Sequence, residues 1–191
     1  MKKETILFVV LALAAGILIG VIVTNLQKDS SSSIPASIPA PAPVVNQQQQ
    51  TLILEGIVAR EPDNRNAWIQ LGHSFFDSDQ PMKAIYAYAK ALELNGNDPN
   101  ILTDQGVMYR RVGWYDKAIN SFEKANKIDK NHQQSLYNLG IVYRYDLQDF
   151  AKASSVWERF IALDPGSPGA KQVRAELDFI KTHPEMPNKT Q

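Results

Sequence analysis

The feature that most constrains this chain is a sequence repeat with a period of 34 residues. Gly72, Gly106 and Gly140 lie 34 residues apart, and each is followed three positions later by an aromatic residue. A second series consists of three alanines, each followed four positions later by a large aromatic residue: Ala84 and Tyr88, Ala118 and Phe122, and Ala153 and Trp157. Self-similarity at a fixed period of this length is typical of stacked structural units that share one continuous core.

Within each unit the apolar residues have helical spacing. Trp68, Leu71, Gly72 and Phe75 follow an i, i+3, i+4, i+7 pattern, which places them on one stripe of a helix. A glycine inside a helix costs up to about 1 kcal/mol relative to alanine. Its recurrence therefore predicts a close approach of a neighbouring helix, for which the alanines of the second series supply a small matching surface.

These two series resemble the tetratricopeptide repeat (TPR), whose pattern is W-x2-L-G-x2-Y, then A-x3-F, then P. The resemblance implies an all-α fold, a TPR superhelix (α-solenoid), over residues 47–182. It would contain three full units, 65–98, 99–132 and 133–167. A half unit, 47–64, would precede them, and a C-terminal capping helix, 168–182, would follow. Gln105 and Phe160 depart from the pattern, and unit three is expected to have one additional residue in its turn.

The resemblance also implies a concave groove, lined by the first helix of each unit, that binds a peptide or protein segment. Carried onto this sequence, the groove residues are Asn66, Gln70, His73 and Phe76 in unit one, Asn100, Thr103, Arg110 and Arg111 in unit two, and Tyr137, Asn138, Arg144 and Tyr145 in unit three.

Arg110 and Arg144 occupy equivalent positions, which predicts that they lie side by side. Two guanidinium groups with aromatic neighbours would bind a peptide that carries an acidic group or a free C-terminus. The alternative is that Arg110 and Arg144 pair with Asp104 and Asp146 as solvated surface ions, each worth little. The sequence does not clearly reproduce the Lys/Asn/Arg set of the family's carboxylate clamp.

A run of eighteen uncharged, predominantly apolar residues, Ile6 to Val23, lies near the N-terminus. As a helix it would span about 27 Å, close to the ~30 Å hydrocarbon core of a bilayer. With Lys2 and Lys3 before it, the run predicts a single-pass anchor over residues 1–28 with the N-terminus in the cytoplasm. A cleaved signal peptide is the alternative, and either interpretation exports the remainder. We therefore expect a bacterial-type inner-membrane location, with the repeats on the periplasmic or outer side.

The segments outside the repeats carry two further expectations. Residues 29–46 are rich in Ser and Pro, which predicts a disordered linker, and residues 183–191 are predicted to be a disordered tail. Gly16 and Gly20 form a G-x-x-x-G pair, a spacing that lets two membrane helices pack closely, although small residues are common in such helices. A homo-oligomer is therefore one possible outcome.

The composition excludes several function classes. The chain has no cysteine, and its 20 basic and 20 acidic residues cancel, which argues against a nucleic-acid binder. The balance is uneven, since unit two has six basic and four acidic residues, a net of +2. No catalytic motif is present, and His73, His132 and His183 lie far apart, so we expect no enzymatic activity, no cofactor and no metal.

Two classes of function remain. The first is a membrane-anchored interaction module or scaffold. Its architecture is similar to that of TPR proteins that serve cytochrome c maturation or accompany the secretion channel. A periplasmic chaperone-like factor in one of these processes is the alternative form of this function. The second is a structural component that self-associates to organise a membrane complex.

Overall fold

A computed structural model describes residues 46–183, which form eight α-helices and no β-strand. The helices are α1 (Gln47–Arg60), α2 (Arg65–Asp77), α3 (Pro81–Leu94), α4 (Pro99–Arg111), α5 (Tyr115–Ile128), α6 (Gln133–Ile141), α7 (Phe150–Leu163) and α8 (Pro168–Thr182). A short π-helix, Val142–Asp146, continues directly from α6.

Several expectations fall on other parts of the chain. The predicted anchor with Gly16 and Gly20, the linker up to residue 45 and the tail from residue 184 lie outside the described residues. Within residues 46–183, no helix is long and apolar enough to cross a membrane.

The first helix of each unit begins at a side-chain cap. Asn64, Asp98 and His132 accept hydrogen bonds from backbone N–H groups in the first turns of α2, α4 and α6. Ser167 does the same for α8. Each cap satisfies an N–H group that has no partner within the helix, and such a cap typically contributes about 1 kcal/mol. These residues therefore fix where each unit starts.

The turns inside the three units share one backbone conformation. Asp79, Gly113 and Gln148 occupy equivalent turn positions and have φ values of 53°, 77° and 56°. Only Gly113 can adopt this left-handed region without a steric penalty. The other two turns keep the same geometry because the helices on either side of them pack together.

The close approach predicted at the repeated glycines is present, but the group that comes close is an aromatic ring rather than an alanine. The pairs are Gly72 with Tyr88, Gly106 with Phe122, and Gly140 with Trp157. A Cβ atom at Gly106 would lie 2.6 Å from Cε1 of Phe122, well inside van der Waals contact. All three rings are at most 1% exposed, so they form the centre of the core.

The additional residue of unit three lies in the first helix, and the expectation that it lay in the turn is wrong. In unit two the N–H of Val112 donates to the carbonyl of Met108, the ordinary α-helical spacing. In unit three the N–H of Leu147 donates to the carbonyl of Val142, one residue further back. The insertion therefore widens the last helical turn into the π-helix, which carries Arg144 and Tyr145.

The two substitutions in the repeat pattern are accommodated locally. Gln105 is buried, and its Nε2 donates to the carbonyl of Ile85 on α3 at 3.3 Å. Phe160 packs against Tyr137, with ring centres 5.6 Å apart. A Cβ atom at Gly169, in the first turn of α8, would lie only 3.1 Å from Cζ of Phe160. The capping helix thus approaches this larger side chain with a glycine.

Candidate functional site

The first helices of consecutive units touch each other directly. His73 on α2 lies 3.3 Å from Asp104 on α4, and Arg110 on α4 binds Asp146 at the end of the π-helix. The second helices are separated by grooves whose floors come from first helices, for example Leu102 between α3 and α5 and Leu139 between α5 and α7. The first helices are therefore on the concave side of the array and the second helices on its convex side.

The residues predicted to line the groove fall into three classes. The exposed ones are Asn66, Gln70, His73, Asn100, Arg111 and Tyr145. The half-buried ones are Phe76, Arg110, Tyr137, Asn138 and Arg144. Thr103 is fully buried, so its prediction as a groove residue is wrong. The hydroxyl of Thr103 donates to the carbonyl of Pro99 at 2.7 Å, and the side chain belongs to the contact between α4 and α6.

Arg110 is engaged by an intramolecular ion pair. Its Nε and Nη2 donate to the two carboxylate oxygens of Asp146 at 2.5 and 3.1 Å. Asp146 is one of the two acidic partners that the alternative interpretation named. Because the contact is bidentate and Asp146 is only 14% exposed, a ligand carboxylate would have to compete with it for Arg110.

Arg144 contacts the capping helix, whereas Arg110 pairs with Asp146. Its Nε is buried and lies 3.4 Å from Oε2 of Glu176 on α8. The two atoms form an ion pair but not a hydrogen bond. Its guanidinium carbon lies 5.0 to 5.4 Å from three ring centres, those of Tyr145, Phe150 and Phe179. The ion pair and these cation–π contacts hold the arginine in place.

Arg111 is the most accessible of the three arginines. Its guanidinium lies over the ring of Phe76 at 4.8 Å and pairs with Asp79 at 2.8 Å. The Asp79 side chain is 81% exposed, and an exposed ion pair of this kind contributes little to stability. A ligand can therefore contact Arg111 and Phe76 with little loss of stability from the exposed ion pair with Asp79.

Two titratable groups on the concave face have shifted pKa values. The hydrogen bond with Asp104 raises the pKa of His73 above its ordinary value, and burial opposes the effect. Burial, assisted by a hydrogen bond to Glu176, raises the pKa of Tyr145 to about 12. Tyr145 is therefore a neutral hydrogen-bond donor at physiological pH. His73 is the group of the two whose charge changes nearer to physiological pH.

Sequence reasoning missed the acidic and aromatic residues that α8 contributes, Glu176 and Phe179. The signal was present in the register: α8 starts 35 residues after α6, so it stands where the first helix of a further unit would stand. Another face of α8 carries Val173 and Leu177, which are buried.

His132, which the sequence places far from the other two histidines, has a structural role. It caps α6, and its Nε2 lies 3.0 Å from Oδ1 of Asn100 on α4, so it links two first helices. Its surroundings do not form a metal site: within residues 46–183, no three His, Cys, Asp or Glu side chains are grouped as a metal ion would require.

Comparison with known proteins agrees with this architecture. A family model described as tetratricopeptide repeat matches residues 87–120. The crystal structure of MamA superposes with a TM-score of 0.66 at 20% identity, covering 71% of this chain and 79% of that chain. The helical array is a TPR solenoid. The first TPR of Spaghetti (RPAP3), bound to the HSP90 peptide SRMEEVD, has the same fold, with a TM-score of 0.56 at 19% identity over 75% of this chain and 99% of that one.

Curated relatives of the TPR array are considerably longer proteins. Protein O-mannosyl-transferase TMTC1 of Mus musculus is 29% identical over 133 residues, which cover 68% of this chain and 14% of that protein. Cytochrome c-type biogenesis protein CycH of Pseudomonas aeruginosa is 27% identical over 129 residues, which cover 65% of this chain and 31% of that protein. This chain thus spans less than a third of either relative. TPR-type folds are generally non-enzymatic modules for protein–protein interaction.

Proposed function

We propose that this chain is a membrane-anchored interaction module whose TPR array binds a peptide or protein segment on its concave face. The observation that carries the proposal is the continuous row of first helices, on which accessible polar, cationic and aromatic side chains lie together. Asn100, Arg111 with Phe76, and Tyr145 are the main examples. The RPAP3 domain bound to an HSP90 peptide supports it, since that domain shows a peptide bound to the same fold.

The ligand that this face fits best is a segment with an acidic group beside an apolar side chain. Arg111 is accessible to the carboxylate, and the ring of Phe76 lies next to it for the apolar contact. Arg110 can join only if the ligand displaces Asp146. A specific ligand must therefore offer Arg110 a better partner than the one it has.

The membrane location belongs to the same proposal. The apolar run Ile6 to Val23 and the preceding Lys2 and Lys3 support a single-pass anchor with its N-terminus in the cytoplasm of a bacterial-type cell. The TPR array would then be periplasmic. The likeness to CycH supports a chaperone-like role in cytochrome c maturation as one variant. A C-terminal reporter that is active only outside the cytoplasm tests the topology, and an inactive, stably expressed fusion would refute it.

Site-specific photo-crosslinking in the native membrane tests the interaction surface. A photoreactive side chain is placed at Asn100 on the concave face, or at Met82, which is exposed on the second helix α3. We expect a heterologous adduct from Asn100 alone, and its loss when Arg111→Glu is added. Arg60→Glu, an equal charge reversal on α1, should leave the adduct intact. Equal adducts from both positions, or survival of the Asn100 adduct in Arg111→Glu, would contradict the proposal.

Self-association is the second candidate, and an apolar patch on α1 favours it. Leu52 and Ile53 are adjacent and are 65% and 55% exposed. Burying such side chains against a second copy would contribute roughly 1.5–3 kcal/mol each. Sedimentation of the full chain in detergent should then show an oligomer that Leu52→Gln/Ile53→Gln dissociates. A monomer at all accessible concentrations would exclude this candidate.

A further inference from the structure

A groove on the convex face, between α5 and α7, carries a strong excess of positive charge. Its lining contains four basic side chains, Lys127, Lys130, Lys152 and Arg159, and one acidic side chain, Glu123, a formal net of +3. The groove between α3 and α5 and the one between α7 and α8 each have two basic and two acidic lining residues. The excess therefore belongs to this groove and not to the convex face as a whole.

The positive charges of this groove are largely unpaired. Within the described residues, Lys127, Lys130 and Arg159 have no ion-pair partner. Lys152 is the exception, since its Nζ lies 2.9 Å from Oδ2 of Asp149. On the concave face the three groove arginines all have acidic partners. The positive potential of the array is therefore concentrated on the side opposite to the predicted groove.

The floor of the groove combines apolar side chains with a buried amide. Leu139 on α6 and Val156 on α7 line it, and the cleft has a volume of about 380 Å³. Asn126 is 9% exposed, and its Nδ2 donates to the carbonyl of Phe122 and to Ser135. Its Oδ1 is buried and has no hydrogen-bond partner within the part of the chain that the structure describes. Because this oxygen is buried, it is a cost to the array and not a contact for a ligand in the groove.

We propose that this groove is a second binding site, which takes an extended acidic protein segment with carboxylates on both sides of an apolar side chain. The carboxylates pair with Lys127 and Lys130 on one wall and with Arg159 on the other. The apolar side chain rests on the floor, against Leu139 and Val156. This site is separate from the concave face and does not depend on the function proposed for it.

The shape and chemistry of the groove favour a protein segment over an anionic membrane. A bilayer surface is flat, whereas the floor is recessed between two helices and is within the size range of ordinary ligand clefts. A lipid headgroup has no apolar side chain to place on Leu139 and Val156, whereas an acidic segment that contains a leucine has one. Anionic lipid binding is therefore a separate outcome of the test.

The test uses the full chain in phosphatidylcholine nanodiscs and a fluorescent peptide, Asp-Glu-Leu-Asp-Glu-Leu, capped at both ends so that it has no free C-terminus. Binding is measured by anisotropy against the matched Asn-Gln-Leu-Asn-Gln-Leu peptide. The groove variant is Lys127→Glu/Arg159→Glu. The control is Arg60→Glu/Lys171→Glu, which changes the net charge equally at exposed positions outside the groove. A concave-face variant, Arg111→Glu, completes the set.

We expect the acidic peptide to bind at least about tenfold more tightly than the neutral one, and the groove variant to lose at least about tenfold in affinity. The control and Arg111→Glu should stay within about twofold of the unmodified chain. Lys127→Gln/Arg159→Gln should reproduce the direction of the loss, and unchanged thermal unfolding by circular dichroism must accompany it.

Four results would overturn the proposal. They are no difference between the two peptides, an equal loss in the control variant, a loss confined to Arg111→Glu, and groove-dependent flotation with phosphatidylglycerol vesicles in the absence of peptide binding. The third result would place the acidic peptide on the concave face and so support the proposed function while refuting this one. If no adduct formed at Asn100 even with Arg111 in place while the acidic peptide still bound the convex groove, the proposed function would be refuted and this inference supported.

Discussion

Replacing Gly140 by alanine should destabilise the array, although alanine is the better helix former. The new Cβ would lie 2.5 Å from Cε2 of Trp157, whereas carbon atoms in contact prefer about 3.5–4.0 Å. Nε1 and Cδ1 of the indole would lie closer still, so the ring would have to move by roughly 1.5 Å. Trp157 is 1% exposed and has no space to move into.

The magnitude follows from three contributions. Overpacking a filled core costs about 1–3 kcal/mol. A displaced indole also weakens the hydrogen bond from Trp157 Nε1 to the carbonyl of Tyr137, now 3.2 Å long, which is worth about 1 kcal/mol. Removing a glycine from a helix returns about 1 kcal/mol. Gly140→Ala should therefore lower the free energy of unfolding by about 1–3 kcal/mol.

Gly56 provides a matched control within the same chain. It lies in α1, and nothing stands within 4 Å of the position that a Cβ would occupy. Gly56→Ala should therefore raise the free energy of unfolding by about 0.5–1 kcal/mol. Urea denaturation followed by far-ultraviolet circular dichroism measures both variants, with equal m-values required for the comparison. If Gly140→Ala were as stable as Gly56→Ala, the packing of Trp157 on Gly140 would be refuted.

Three other predictions concern single side chains. The hydroxyl of Tyr88 is buried without a hydrogen-bond partner among residues 46–183, so Tyr88→Phe should stabilise the array by about 1 kcal/mol in urea denaturation. Gln148→Gly should stabilise it by about 0.5–1 kcal/mol, because the φ of 56° at Gln148 suits glycine better; an unchanged denaturation midpoint would contradict this. Because Asp104 raises the pKa of His73, the stability that this pair contributes is fully present below the unfolded pKa of about 6.5 and is lost as the pH rises through the folded value. His73→Gln should therefore remove stability at pH about 5.5 and change little at pH about 8.5, and a loss that did not depend on pH would refute the linkage.

The solenoid was predictable because the residues that recur every 34 positions include a glycine inside a helix, which only close packing explains. A glycine that recurs inside a helix requires a neighbour, and the aromatic residue four positions after each alanine turned out to be that neighbour. The spacing did not identify which of the two residues fills the gap. That depends on the reach of the side chain, since the ring of Phe122 extends to Gly106 whereas the methyl group of Ala118 is shorter.

The faces of the helices were predictable, but the ionic partners were not. The 34-residue period places Arg110 and Arg144 on the same face of their helices. The equivalence of the two positions fails because Arg144 lies in the π-helix, where the additional residue widens the last helical turn. A spacing of 35 between Ala118 and Ala153 is the same whether the extra residue lies in the loop or in the helix. The partner of Arg144 also comes from α8, beyond the last full unit.

The two proposed sites would therefore recognise acidic ligands in different ways. On the concave face a ligand carboxylate must displace Asp146 from Arg110, so binding gains only the difference between the new pair and the old one. In the convex groove Lys127 and Arg159 give up only water, and their attraction is gained in full but is screened over the Debye length of about 8 Å at physiological salt. The site proposed on the concave face would thus favour selectivity among carboxylates, since a poor partner could not compete. The proposed convex site would favour fast, salt-sensitive capture of any sufficiently acidic segment.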